Sequence, residues 1–142
     1  MTTKTGVAHD CSYWNNFYSG NKPPTHPSQF AAFCLGEGEW QAIIDIGCGN
    51  GRDALFFASY VPVVVGIDSS RDAVAMARTL SACNQIGNVA QFICSSASDP
   101  LLRPHLERIL AGAETPLIYS RFFMHAIDEE EEEMCLSLFG DL

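Results

Sequence analysis

A chain of 142 residues, 47% of them hydrophobic, fits one domain whose core stands without disulfide or metal staples. Its formal net charge of −9, with eight Lys and Arg scattered along the chain, argues against a nucleic-acid partner, whose phosphates such a surface repels. No apolar run reaches the length of a membrane span, and the opening MTTKTGVAHDCSYW lacks the apolar centre of a signal peptide.

In chain order, mixed aromatic and polar residues run to about Asn21 and end in CSYWNNFYSGN. KPPTHPS follows as extended or turning backbone, because proline fixes its own φ and restricts the residue before it. SQFAAFCLG predicts a short helix with Phe30, Phe33 and Cys34 on one face and Gly36 as its stop. AIIDIG is a short apolar run bounded by turn residues, the pattern of a strand buried on both faces. RDALFFASY reads as a helix ending before Pro62, and VVVGID as a second buried strand rich in β-branched residues. In SSRDAVAMARTLSACN, Ala73, Met76, Ala77 and Leu80 form one apolar helical face, with Ser69 or Ser70 as cap. NVAQFIC is a third strand. DPLLRPHLERILAG is helical towards its end, Leu102, Leu106, Ile109 and Leu110 facing inward, with Pro104 blurring the start. PLIYS is a fourth strand, and DEEEEEMCLSLF a last helix capped by Asp128, its glutamates favoured at the positive end of the helix dipole.

Strands alternating with helices predict an α/β fold: a Rossmann-like, doubly wound, mainly parallel sheet with helices on both faces. The six cysteines (Cys11, Cys34, Cys48, Cys83, Cys94 and Cys135) include no CxxC pair, so no metal site is expected and reduced thiols in a cytoplasmic protein are.

The residues richest in chemistry are IIDIGCGNGRDALFFA, where three glycines fall within five positions between a strand and a helix. Glycine loses the most freedom on folding, so such a cluster implies either a turn at positive φ or a ligand lying close to the backbone. Gly47 suits the sharp turn, Gly49 a close approach and Gly51 tight entry into the helix. Asp68 ends the second strand about twenty residues later, where a carboxylate accepts hydrogen bonds from the ribose hydroxyls of an adenosine ligand. The dinucleotide fingerprint would need glycine or alanine at position 52, which is Arg52, so a nicotinamide dehydrogenase is disfavoured.

DIGCGNG resembles the first motif of class I S-adenosylmethionine-dependent methyltransferases, and GCGNGRDALFFA resembles in particular the tellurite-resistance-type and related small-molecule methyltransferases. The resemblance runs from about Ile43 to the final helix and is strongest in that motif and at VVVGIDSS. It implies S-adenosylmethionine as cofactor. Asp45 would organise the loop and approach the methionine amino group. Gly47, Cys48, Gly49 and Gly51 would form the cradle, and Asp68 would hold the ribose with Ser69 beside it. Ser96 and Ala97 would lie at the adenine, where the family often has an acidic residue that Asp99 could replace. Ser120 and Arg121 match the segment beneath the reactive methyl. Residues 1–36 would be a cap over the cofactor-binding domain, 37–142, with Tyr13, Trp14, Phe17 or Tyr18 shielding the methyl; packing on the domain explains these aromatics equally well.

A base is needed only for an acceptor that arrives protonated, and His125 is the candidate, a rim histidine packed on Phe122 being the alternative. The implied activity is methyl transfer to a small molecule, at a hydroxyl oxygen or another atom. The competing reading is a nucleoside-binding or interaction module that has lost catalysis. The family usually continues beyond the fourth strand and its helix, so the chain reads as C-terminally incomplete, with a fragment, a truncation, an oligomer or a completing partner left open.

Overall fold

The computed structural model describes residues 11–20, 22–83, 90–140 and 142, and the side chains of residues 11–14 and 125 lie outside that description. Among the described residues the order is α1 (Cys11–Gly20), α2 (Gln29–Gly36), β1 (Ala42–Ile46), α3 (Arg52–Ala58), β2 (Val63–Asp68), α4 (Arg71–Cys83), β3 (Gln91–Cys94), α5 (Leu102–Ile109), β4 (Pro116–Ser120), a short 3-10 turn (Met124–Ala126) and α6 (Glu129–Phe139). The four strands form one sheet in the order β3-β2-β1-β4, and every pairing is parallel.

β1 is central, and all five of its residues are buried, which explains why its sequence shows no polar alternation. Its side chains divide between two cores by the strand's period of two. Ile43 points with Val64, Phe57 and Ala77 into a core beneath α2, α3 and α4. Ala42, Ile44 and Ile46 point the other way, with Val65, Ile67, Leu102, Leu106 and Phe139, beneath α5 and α6. Both faces are covered, as the alternating pattern requires.

From β1 the chain steps outward to β2 and β3, then crosses back to place β4 on β1's other side. The reversal falls between β1 and β4, where Ile46 pairs with both Ile67 and Ser120. Loops leaving the two strands diverge there and open a crevice at their carboxyl ends.

Local expectations hold in β1 to β4 and in α3 to α6, including the caps. The Ser70 hydroxyl accepts from the Ala73 N–H at 3.2 Å, and the Asp128 carboxylate from the Glu131 N–H at 2.8 Å. Pro104 sits in the first turn of α5, where its missing N–H costs no helical bond. Three details differ. Helix α1 was not expected from its mixed sequence. In α2 the buried residue is Ala31, while Phe30 and Phe33 are 45% and 61% exposed. The small Ala31 lets the helix backbone sit close to the core, and Phe30 instead stacks on Tyr119, with ring centroids 5.5 Å apart. In α4 the buried set is Ala73, Val74 and Ala77, with Met76 and Leu80 only half-buried at its margin. Among the described residues no helix is long and apolar enough to cross a membrane.

Candidate functional site: a glycine cradle ringed by carboxylates

A cavity of about 400 Å³ opens at the switch point, bounded by the loop after β1, the ends of β2 and β4, α1 and α6. Its floor is the glycine loop. Gly47, Gly49 and Gly51 have φ of +71°, +56° and +79°, the left-handed region that side chains rarely adopt. Neighbours crowd the same positions. A Cβ on Gly47 would lie 2.7 Å from the Phe123 ring, one on Gly51 2.7 Å from the Phe92 ring, and one on Gly49 would meet the Tyr18 hydroxyl. The turn at positive φ is therefore present, and the protein's own side chains approach the same glycines closely.

Asp68 joins this loop to the next strand. One carboxylate oxygen accepts from the Gly49 N–H at 2.9 Å and the other from the Ser70 N–H at 2.8 Å. A carboxylate has about four acceptor sites, so each oxygen keeps one for a ligand. Burial pushes the Asp68 carboxyl above its ordinary value, and the two backbone bonds oppose the shift.

Asp45, one residue before the end of β1, is 3% exposed and lines the cavity. Among the described residues no hydrogen bond reaches its carboxylate, and its carboxyl is held well above the ordinary value, first by burial and then by Asp53 and Asp68, with Arg121 opposing. A buried carboxylate facing a cavity without a donor is costly unless a ligand supplies one. Asp45, Asp53 and Asp68 together make the floor receptive to a cation that also donates hydrogen bonds.

Asp53, in the first turn of α3, was not anticipated. It is buried and accepts from the Ser28 N–H at 2.7 Å, the Ser28 hydroxyl at 2.8 Å and the Tyr119 hydroxyl at 2.7 Å. The Arg121 Nε lies 3.4 Å away. One carboxylate thus fastens the segment before α2 to β4 and the loop beyond it. An acid in the first turn of RDALFFA, followed only by apolar residues, was the available signal.

The remaining expected residues divide. Cys48, Ser69, Ser96, Ala97 and Arg121 line the cavity with Gly47 and Gly49. Cys48 is buried, and its thiol is pushed well above the ordinary value by burial and by Asp45 and Asp68, so it is an inert wall rather than a nucleophile. Ser96 shares a hydroxyl–hydroxyl bond of 2.8 Å with Ser98. Asp99 instead caps the turn into α5, accepting from the Leu101 N–H at 2.9 Å, and is not on the cavity wall. Gly51 and Ser120 are also off that wall. Gly51 sits against Phe92 and Ala77, and Ser120 faces a neighbouring groove.

Tyr18 and Phe17 reach the cavity from α1. The helix is tied down by Asn15, whose side-chain oxygen accepts from the Ser70 hydroxyl at 2.8 Å. Burial and the nearby Asp68 raise the Tyr18 phenol well above its ordinary value, so it stays a neutral donor. Tyr13, Trp14 and His125 fall on described backbone, but their side chains lie outside the described residues. The neighbours of His125, Ala126 and Ile127, line the cavity, as do Glu131 and Cys135 from α6.

Residues 39–104 match the sequence model of a methyltransferase domain family. No curated protein sequence matches the chain. Among solved structures, a protein described for the conversion of a disulfide bond into a thioacetal group during echinomycin biosynthesis is 23% identical, with a TM-score of 0.70 over 90% of this chain and 53% of that one. An S-adenosylmethionine-dependent methyltransferase from Anabaena variabilis is 21% identical, with a TM-score of 0.65 over 89% of this chain and 53% of that one. The magnesium protoporphyrin IX methyltransferase from Synechocystis, solved with S-adenosylhomocysteine bound, is 20% identical, with a TM-score of 0.59 over 80% of this chain and 48% of that one. The chain spans about half the length of these structures. Its described part has the Rossmann-like fold of S-adenosylmethionine-dependent methyltransferases, and residues 39–104 carry a methyltransferase-domain sequence pattern.

Proposed function

We propose that the cavity binds S-adenosylmethionine and that the chain is the donor-binding part of a methyltransferase acting on a small molecule. The observation that carries this reading is Asp45: a buried carboxylate at the tip of the central strand, with no donor among the described residues, beside a glycine cradle. A sulfonium nucleoside with an ammonium group satisfies both its charge and its hydrogen-bonding need. When bound, it supplies an activated methyl: the acceptor atom bonds the methyl carbon as the sulfur–methyl bond breaks, leaving a thioether and releasing any acceptor proton to a base.

The chain's own residues bind, orient and exclude water. Asp45 takes the ammonium group, and Asp68 takes the ribose hydroxyls with the acceptor sites left by Gly49 and Ser70. Gly47, Cys48 and Gly49 lie along the donor, while Ser69, Ser96 and Ala97 border its adenine. Residues 1–36 form the lid over the domain of residues 37–142, Tyr18 closing over Gly49 with Tyr13 and Trp14 on the same helix. Holding the acceptor in line with the methyl supplies most of the acceleration, and His125 takes the proton where the acceptor is a hydroxyl. The five described cysteines are all free thiols, which supports a cytoplasmic setting.

Titration calorimetry with S-adenosylmethionine, S-adenosylhomocysteine and NAD tests the donor. The first two should bind and NAD should not, and Asp68→Ala should weaken binding about tenfold or more, since hydrogen bonds to a charged acceptor are lost. Unchanged affinity in that variant would overturn the reading. A screen over small hydroxylated acceptors then tests transfer. Binding without product from any acceptor would favour the module that binds but does not react.

A further inference from the structure

A second, more open groove of about 660 Å³ adjoins the donor cavity, sharing lining residues with it. Arg52, Arg121 and Phe122 border both, so they form a shared wall. His26, Ser28 and Ser120 also line the groove, and among the described residues no aspartate or glutamate does. In a chain of net charge −9, a concavity with two arginines and no acid is an electrostatic exception.

Three local features point to a ligand there. First, neither guanidinium is saturated among the described residues: Arg52 makes one long bond, Nη1 to the His26 carbonyl at 3.5 Å, and Arg121 approaches Asp53 through Nε at 3.4 Å. Each arginine has five donors in a fork that matches a carboxylate or phosphate. Second, the Ser120 hydroxyl is buried with no hydrogen-bond partner among the described residues, a group that costs free energy until something pairs with it. Third, Phe122 has a φ of +59°, the only positive value at a non-glycine residue among those described, and its ring lies 4.8 Å from the Arg121 guanidinium carbon while the residue is 72% exposed. A bulky residue held in that region without being buried marks a position constrained for something other than packing. The stack holds the Arg121 guanidinium against a residue that borders both spaces.

We propose that this groove is an anion subsite, and that the methyl acceptor carries a carboxylate or phosphate group held by Arg52 and Arg121 with the Ser120 hydroxyl as a third donor. The inference rests on the methyl-transfer reading for the word acceptor, but not for the subsite itself. Asp53 lies off the groove wall, and its approach to Arg121 offsets part of that arginine's charge, which leaves Arg52 the less compensated of the two. The acceptor's anionic end sits on one side of the Arg121–Phe122 wall and its nucleophilic atom reaches the donor cavity across it.

The test titrates the full 142-residue chain with inorganic phosphate and, separately, with acetate at constant ionic strength, followed by amide NMR. The expected result is saturable shifts confined to residues 26–30, 52 and 120–122, with the tighter of the two ions naming the acceptor's anionic group. Arg52→Gln should weaken that binding about tenfold, the loss of one charge-assisted contact, and Arg52→Lys less. Ser120→Ala keeps both arginines and should weaken it about threefold, which serves the same purpose if the arginine variants fold poorly. Shifts that never saturate, that scatter over other basic residues, or that are unchanged in Arg52→Gln and Ser120→Ala would overturn the proposal. S-adenosylhomocysteine is titrated in parallel, so each reading can fail alone: phosphate binding without it removes the donor reading, and its binding without phosphate or acetate removes the subsite.

Discussion

Replacing Asp53 by alanine should cost about 3 kcal/mol of folding stability and release the segment before α2. Three hydrogen bonds end on this buried carboxylate, from the Ser28 N–H, the Ser28 hydroxyl and the Tyr119 hydroxyl, at 2.7, 2.8 and 2.7 Å. A bond to a charged acceptor contributes about 1.5–3 kcal/mol, but the three are not independent. Without the carboxylate the two hydroxyls, already 3.3 Å apart, can pair with each other, which leaves the Ser28 N–H and roughly one hydroxyl bond as the net loss. Asp53 also repels the buried Asp45, and its removal returns part of the loss. Two bonds at about 2 kcal/mol each, less about 1 kcal/mol of relieved repulsion, give about 3 kcal/mol. Urea unfolding measures the change, and limited proteolysis around residues 22–28 reports the released segment. Tyr119→Phe removes one donor and should cost about 2 kcal/mol. Because the residues touch, the double variant should fall short of the sum by about 0.5 kcal/mol or more. A loss below about 1 kcal/mol in Asp53→Ala, with unchanged proteolysis, would show that the carboxylate does not fasten these elements together.

Two further variants probe the loop and the buried charge. Gly51→Ala should destabilise by about 2–4 kcal/mol, combining the left-handed conformation at φ +79° with overlap on the Phe92 ring; a urea midpoint like the parent's would contradict it. Asp45→Asn should be more stable than the parent near neutral pH while losing affinity for S-adenosylhomocysteine. The folded state holds the Asp45 proton more tightly than the unfolded chain does, so this residue's contribution to stability is fully present below the usual 3.8 and is lost as pH rises through its higher folded value. The parent's stability should therefore fall with rising pH above 3.8, and the variant's less steeply, Asp68 leaving a residual slope of the same sign. Urea midpoints taken across pH check the slope. Parallel slopes, or a variant weaker than the parent at neutral pH, would mean that Asp45 already has a satisfying partner in the fold.

Much of the fold was legible because its signals are local. Strands buried on both faces must be continuous apolar runs, so AIIDI and VVVGID identify themselves, and their alternation with helices dictates a parallel, doubly covered sheet. The glycine loop and Asp68 were legible for the same reason, since strand, turn and acid lie close together in the chain and positive φ has a residue-specific cost. The site's other half depends on distance. Nothing near Asp53 in sequence reveals that Ser28 and Tyr119, 25 and 66 positions away, will bring donors to it. Nor does the spacing of Phe30 and Phe33 reveal that a small alanine between them takes the core contact. Ser120 matched the segment beneath the reactive methyl by position, yet it lines the groove beyond the Arg121 wall. The sequence by itself determined which residues form strands, where the chain turns and which acid ends β2, because propensity, periodicity and φ are properties of neighbours. Only the tertiary structure decided which side chains share a cavity, which carboxylate lacks a donor among the described residues and which arginines line one groove, because those depend on how distant segments pack.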